Sequence, residues 1–248
     1  MVDYIYDGTF EGLLTCVHMN YYGERANGIY PEADYQVSIL TQFYKVETNE
    51  EKAHAVYSGI RTKISEEALE RVYRAHLSSH KEKENIILSY LRLGFKKGGC
   101  ISSMHAHPVV LAMQELDHKV SFEKVRLLGL VRFSEISGVL FSLIEPDHDV
   151  LELMADHFAD RYKNEAFTIF DKRRKKAIFW DGGKWYIAAV DPKIIPDIEK
   201  EERVYQDLWK AYFENIAIKE RTNPRCQKRC MPARYWKNLT EIGIMETK

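Results

Sequence analysis

The chain is poor in cysteine: four thiols in 248 residues are too sparse for a disulfide scaffold. It has no stretch near the roughly eighteen apolar residues of a membrane-spanning helix. Its opening, MVDYIYDGTFEGLL, has no basic region followed by an apolar run, so no secretory signal is expected, and a cytoplasmic location with reduced thiols is. Gly-x-Ser-x-Gly, phosphate-loop and dinucleotide-binding patterns are absent, which removes the best-marked hydrolase, nucleotidase and dehydrogenase signatures. No internal repeat or low-complexity linker occurs. Net charge is also missing, with 36 Lys and Arg against 37 Asp and Glu.

What is there reads as globular: 45% hydrophobic and 29% charged residues, with 15 tyrosines dominating the aromatics. The length suits one large domain or two small ones; the reading is a single domain over 1–248 with a subdivision near residue 120. Charge is unevenly spread. Residues 1–150 carry 16 Lys/Arg and 21 Asp/Glu, whereas 151–248 carry 20 and 16, with the cations concentrated in 172–176 and 219–237. Such clustering is the electrostatic footprint of a phosphate-binding surface, and equally that of ordinary hairpin tips and helix faces.

Periodicity predicts an α+β fold: a mostly helical N-terminal half, a small antiparallel sheet with a packed helix, and a helical C-terminal tail. Tyr4-Ile5-Tyr6 is a short strand. Phe10, Leu13, Leu14 and Val17 recur at helical spacing behind a cap at Asp7 or Thr9. A strand is expected around 38–46, then helices from about Asn49, from Ser65, over Lys83–Phe95 and after His107-Pro108. In the second half, strands flank a Ser137-Gly138 turn. Val150, Leu151, Met154 and Phe158 stripe a helix. Three further strands turn at 171–176 and at Asp181-Gly182-Gly183, and Trp209, Phe213 and Ile216 share a face of a late helix.

Four places invite chemistry. Cys226 and Cys230 form one i,i+4 pair, but a structural zinc site wants four ligands and no second pair follows. An iron–sulfur motif of the radical SAM type would need a third cysteine at the position of Ala233. No metal and no cofactor are therefore expected. His157 and Arg161 share a helix face between Asp156 and Asp160, an arrangement open to acid/base work on a phosphate ester or to plain solvent exposure. In DKRRKK, Arg173 and Arg174 can fork onto phosphates, although alternate residues of a hairpin point to opposite faces. Finally, Lys219, Arg221, Arg225, Lys228, Arg229, Arg234 and Lys237 surround Tyr235 and Trp236, as when cations track a backbone and rings stack on unpaired bases. A basic helix with its aromatics packed inward is the rival reading.

YDGTFEGLL, GLVRF, HFADR, IFDKRR, LWKAYFENI and MPARYWKNL, in that order from about residue 4 to 241, resemble an uncharacterised bacterial family. It is described as a probable DNA-metabolism or putative DNA repair protein, typically encoded beside a putative DNA-modification/repair radical SAM protein. In longer members it is fused to a uracil-DNA-glycosylase-like domain. Arg132-Phe133, His157, Phe158, Arg161, Asp171, Arg173, Trp209, Gln227, Met231, Pro232, Tyr235 and Trp236 fall on its motif positions. The resemblance implies an accessory protein of DNA metabolism that binds nucleic acid and works with a radical SAM partner. Arg161, Arg173, Arg174, Arg225, Arg229, Arg234 and Lys237 would then meet phosphates, and Tyr235 or Trp236 would stack a base. The alternatives are an enzyme acting on DNA or a nucleotide through His157, and a module that binds only the radical SAM protein.

Overall fold

The computed structural model describes residues 2–37, 41–194, 200–216, 218, 221 and 223–241. The chain divides into two compact units, Met1–Ser121 and Phe122–Lys248.

The first unit begins with β1 (Val2–Tyr6), every residue of which is buried. An Asp7-Gly8 turn leads into α1 (Phe10–Tyr22), and β2 (Ala26–Pro31) and β3 (Phe43–Lys45) flank β1 on either side. Both pairings are parallel. The expected helical front thus carries a parallel sheet at its centre. The strand expected over 38–46 is Phe43–Lys45, and 38–40 lie outside the described residues. β2 escapes sequence reading because Asn27-Gly28 is a turn signal and Pro31 a strand breaker. Gly28 is there because the Tyr30 side chain lies over it; a Cβ would stand 2.5 Å from the Tyr30 hydroxyl.

The helices α2 (Glu50–Lys63), α3 (Glu66–His76), α4 (Lys83–Lys97) and α5 (Pro108–Leu130) follow. Side-chain oxygens of Thr9, Asn49 and Ser65 accept from the amides of Gly12, Lys52 and Ala68, each satisfying one orphan donor of the helix it opens. Leu13, Leu14 and Val17 of α1 enter one core with Ile60, Ile87 and Leu91. The Asp7 carboxylate takes hydrogen bonds from Thr9 and Thr48 directly over Gly12. A Cβ at Gly12 would stand 2.9 Å from both Thr48 Oγ1 and the Tyr6 ring. Gly12→Ala is therefore expected to cost about 1–3 kcal/mol despite alanine's better helix propensity, measured by urea unfolding. A stabilised variant would show that the turn yields freely.

Glu84, at the start of α4, is buried and accepts from the Tyr6 hydroxyl at 2.9 Å. Burial raises its pKa above the ordinary 4.5, opposed by Lys83. The folded state thus holds the proton more tightly than the unfolded chain. Its stabilising contribution is complete below pH 4.5 and is lost as pH rises through the folded value. Glu84→Gln, which mimics the neutral acid, is expected to remove that decline from a series of unfolding curves taken upward from pH 4.

In the second unit, β4 (Ser134–Ile136), β5 (Val139–Ile144), β6 (Phe167–Asp171), β7 (Lys176–Trp180) and β8 (Trp185–Ala189) form one sheet in sequence order. Ser137 and Gly138 both have positive φ, 51° and 79°, as a two-residue hairpin turn requires. The expected antiparallel sheet is mixed: β5 and β6 pair in parallel, because α6 (Leu151–Arg161) crosses over between them. Met154 and Phe158 of α6 are buried, and the Phe158, Phe133, Tyr162 and Phe167 rings form one aromatic cluster. α7 (Lys200–Ile216), α8 (Pro224–Cys230) and a 3-10 turn, Ala233–Asn238, complete the tail.

Candidate nucleic-acid interface

The two basic stretches meet, and they meet on carboxylates. After β5 the chain runs Glu145-Pro146-Asp147-His148-Asp149 before entering α6. Asp147 Oδ1 receives Arg173 at 2.8 Å from the β6–β7 hairpin, while its Oδ2 receives Arg234 at 2.9 Å from the C-terminal segment. Glu145 does the same, with Lys172 at 3.8 Å on one oxygen and Lys237 at 2.5 Å on the other. Asp149 takes Lys176 at 2.6 Å. The acidic loop lies between the two cation runs and neutralises part of each.

Behind it sits Glu123 on α5, only 2% exposed. Its carboxylate accepts from the backbone amides of Asp147 at 2.9 Å and His148 at 2.6 Å, so it fixes the loop from below. It also accepts from Arg234 at 3.3 Å and from the Tyr235 hydroxyl. A buried carboxylate saturated in this way is held by its hydrogen bonds rather than exposed to a ligand. Burial and the bond to Glu123 raise the Tyr235 pKa. Burial lowers that of His148 below the ordinary 6.5, against the pull of Glu123 and Asp147.

The hairpin tip, a four-residue turn between β6 and β7, draws one of its cations inward. Asp171, fully buried at the end of β6, accepts from the amides of Arg173 and Arg174 and shapes the turn. The Arg174 guanidinium turns inward, donating to Asp171 at 2.9 Å and to the carbonyls of Pro146 at 3.2 Å and Asp147 at 2.6 Å. Lys172, Arg173 and Lys175 remain exposed.

The expected site residues therefore separate. Arg174 is committed to the turn. Tyr235 is 2% exposed, so its ring faces the interior rather than a base. Trp236 is half-buried, donating to the Met231 carbonyl at 2.8 Å, with Lys228 Nζ 6.0 Å from its ring centroid. Arg173, Arg234 and Lys237 are exposed yet paired. Arg225 and Arg229 on α8 are exposed and, among the described residues, meet no carboxylate; Lys228 beside them is the same. The Asn223 side chain caps α8 by accepting from Cys226, and Pro224 occupies its first turn. Arg161 is exposed at the end of α6, 5.6 Å from the Tyr162 ring centroid. His157 is exposed, touches Phe158 edge-on and has no hydrogen-bond partner among the described residues. Cys226 and Cys230 are exposed free thiols, and among the described residues no three His, Cys, Asp or Glu side chains gather as metal ligands. Lys219 lies outside the described residues.

Sequence reading missed Glu123, Glu145, Asp147 and Asp149. The alternation of acids in EPDHD directly after an apolar strand was the available signal, since closely spaced carboxylates are ready partners for cations brought near in space. Glu241 is a further hidden partner: it is buried and receives Arg132 at 2.6 Å, tying the C-terminal segment to the end of α5.

No curated protein matches this sequence. Among solved structures, a pGpG-specific phosphodiesterase, PggH from Vibrio cholerae, aligns over 72% of this chain and 81% of its own with 9% identity and a TM-score of 0.34, a likeness that carries no argument about activity. A family model described as a domain of unknown function, DUF4130, matches residues 81–241, which include the entire acid–cation cluster. By that match, over more than half of its length, the chain belongs to the DUF4130 family.

Proposed function

We propose that this protein binds nucleic acid as an accessory of DNA metabolism and works beside a radical SAM enzyme. The observation that carries the reading is the contrast among its cations. Six of them, Lys172, Arg173, Arg174, Lys176, Arg234 and Lys237, are balanced by carboxylates. Arg225, Lys228 and Arg229 crowd a seven-residue helix with no carboxylate partner among the described residues. Uncompensated charge held at such density is costly in self-repulsion and is relieved by a polyanion. The motif resemblance supplies the DNA context and the radical SAM partner.

The test is fluorescence anisotropy with labelled single- and double-stranded DNA, stepped from about 50 to 200 mM salt. Binding that weakens steeply with salt, and is lost in a Lys228→Glu/Arg229→Glu variant, is the expected result. Absence of binding at the lowest salt sinks the nucleic-acid reading.

A second reading, a module that docks onto the radical SAM protein, is favoured by α7. Val204, Leu208, Tyr212 and Ile216 stand at successive i,i+4 positions and are all exposed. Co-purification with the partner that fails in Leu208→Asp, with DNA affinity intact, would single out this reading.

A further inference from the structure

The first unit contains an aromatic cleft between α1, α2 and α4, of about 310 Å³. It is near the lower end of small-ligand pockets, enough for one ring system rather than a folded chain. Its walls are flat. The His18 ring stacks on Tyr22 with centroids 4.5 Å apart and planes at 27°, and the Tyr21 ring meets Phe95 edge-on at 5.4 Å. Tyr22 is 79% exposed and Tyr21 44%, so ring surface is offered to solvent on the rim. Gly59 of α2 also lines the cleft, beneath the Phe95 ring, which a Cβ there would meet at 3.6 Å.

The electrostatics select the ligand's sign. Lys63 lines the cleft and no carboxylate does. Burial, and then the neighbouring Lys52, lower the His18 pKa below 6.5, so at neutral pH the imidazole is an uncharged stacking surface. Arg92 and Arg25 stand close enough to Tyr21 to oppose the burial that raises its pKa. Lys96 and Lys97 follow Phe95 directly and are exposed. Aromatic cages for quaternary ammonium ions need rings without cations around them, and this surround is the opposite. Flat walls call for a planar ligand, and a cationic rim for a negatively charged one.

We infer that the cleft lined by His18, Tyr21, Tyr22, Lys63 and Phe95 binds a nucleotide, its base against the tyrosine rings and its phosphate toward Lys63. The site lies wholly within the first unit and stands whether or not α8 takes DNA. The nucleotide is either free or the unpaired residue of a strand.

Calorimetric titration of the full chain with adenosine monophosphate, with adenosine and with a short oligothymidylate tests this. Saturable binding of the monophosphate, tighter than of adenosine, marks a free-nucleotide site. Binding of the oligonucleotide alone marks a strand site. In either case Tyr22→Ala is expected to weaken binding about tenfold, as loss of one base-stacking ring does. Tyr22 is exposed and contacts only His18 in ring geometry, so the variant keeps its fold. Lys63→Glu should weaken the phosphate-bearing ligands and leave adenosine unchanged. Lys228→Glu/Arg229→Glu should leave monophosphate binding untouched. Failure of both the monophosphate and the oligonucleotide to bind at millimolar concentration overturns the inference. So does wild-type affinity in Tyr22→Ala, or oligonucleotide binding lost only in the α8 variant.

Discussion

Glu123→Ala is expected to lower the unfolding free energy of the second unit by about 3–5 kcal/mol, the cost of removing one partner from a buried charged cluster. The size follows from what is orphaned. Two backbone amides, the Tyr235 hydroxyl and one Arg234 nitrogen all lose the same acceptor, at a position only 2% exposed. Tyr235→Phe removes one donor to Glu123 and the acceptor that Arg234 meets at 2.8 Å, and should cost about 1–2 kcal/mol. Urea denaturation followed by tryptophan fluorescence reads the right unit, because all four tryptophans, Trp180, Trp185, Trp209 and Trp236, lie in it. A loss below about 1 kcal/mol for Glu123→Ala would place the cluster among exposed ion pairs, which contribute little.

The second large effect concerns charge on α8. If Lys228 and Arg229 each neutralise one phosphate, reversing both should flatten the dependence of log affinity on log salt by about 1.8, from about 0.9 per contact on duplex DNA. Affinity at low salt should fall well over tenfold, since reversal adds repulsion to the lost attraction. Asp147→Asn acts the other way. It leaves Arg173 without its carboxylate and Arg234 with Glu123 alone, so affinity and salt slope should both rise. An unchanged slope in the α8 variant, with its fluorescence and unfolding curve intact, would mean that these cations contact no phosphate. An unchanged affinity in Asp147→Asn would mean that Arg173 and Arg234 face away from the ligand even when released.

Sequence reading succeeded where the cause is local. The helix starts near Asn49 and Ser65, the Ser137-Gly138 turn and the apolar stripe of α6 each depend on residues within one or two turns of chain, and each stands where the local pattern put it. The α+β class follows from such segments in sum. Parallel pairing was not legible. β1 meets β2 and β3, and β5 meets β6, through crossovers whose direction no pattern within a strand records. β2 was hidden for a different reason, since its glycine answers to a tyrosine ring lying over it rather than to a turn.

The candidate site shows the same boundary more sharply. Composition and spacing by themselves placed the cations at the hairpin tip and near the C-terminus, and the pleat of a hairpin already implied that only some of them would share a face. Which of them are free was decided by tertiary structure. Lys237 and Glu145 are 92 positions apart, and Tyr235 and Glu123 are 112 apart, yet each pair is in hydrogen-bond contact. A charge's partner is set by distance in space, to which separation along the chain is blind. The same sequence of basic residues is therefore a neutralised clamp at Arg174 and Arg234, and at Arg225 and Arg229 an exposed cationic surface with no carboxylate partner among the described residues.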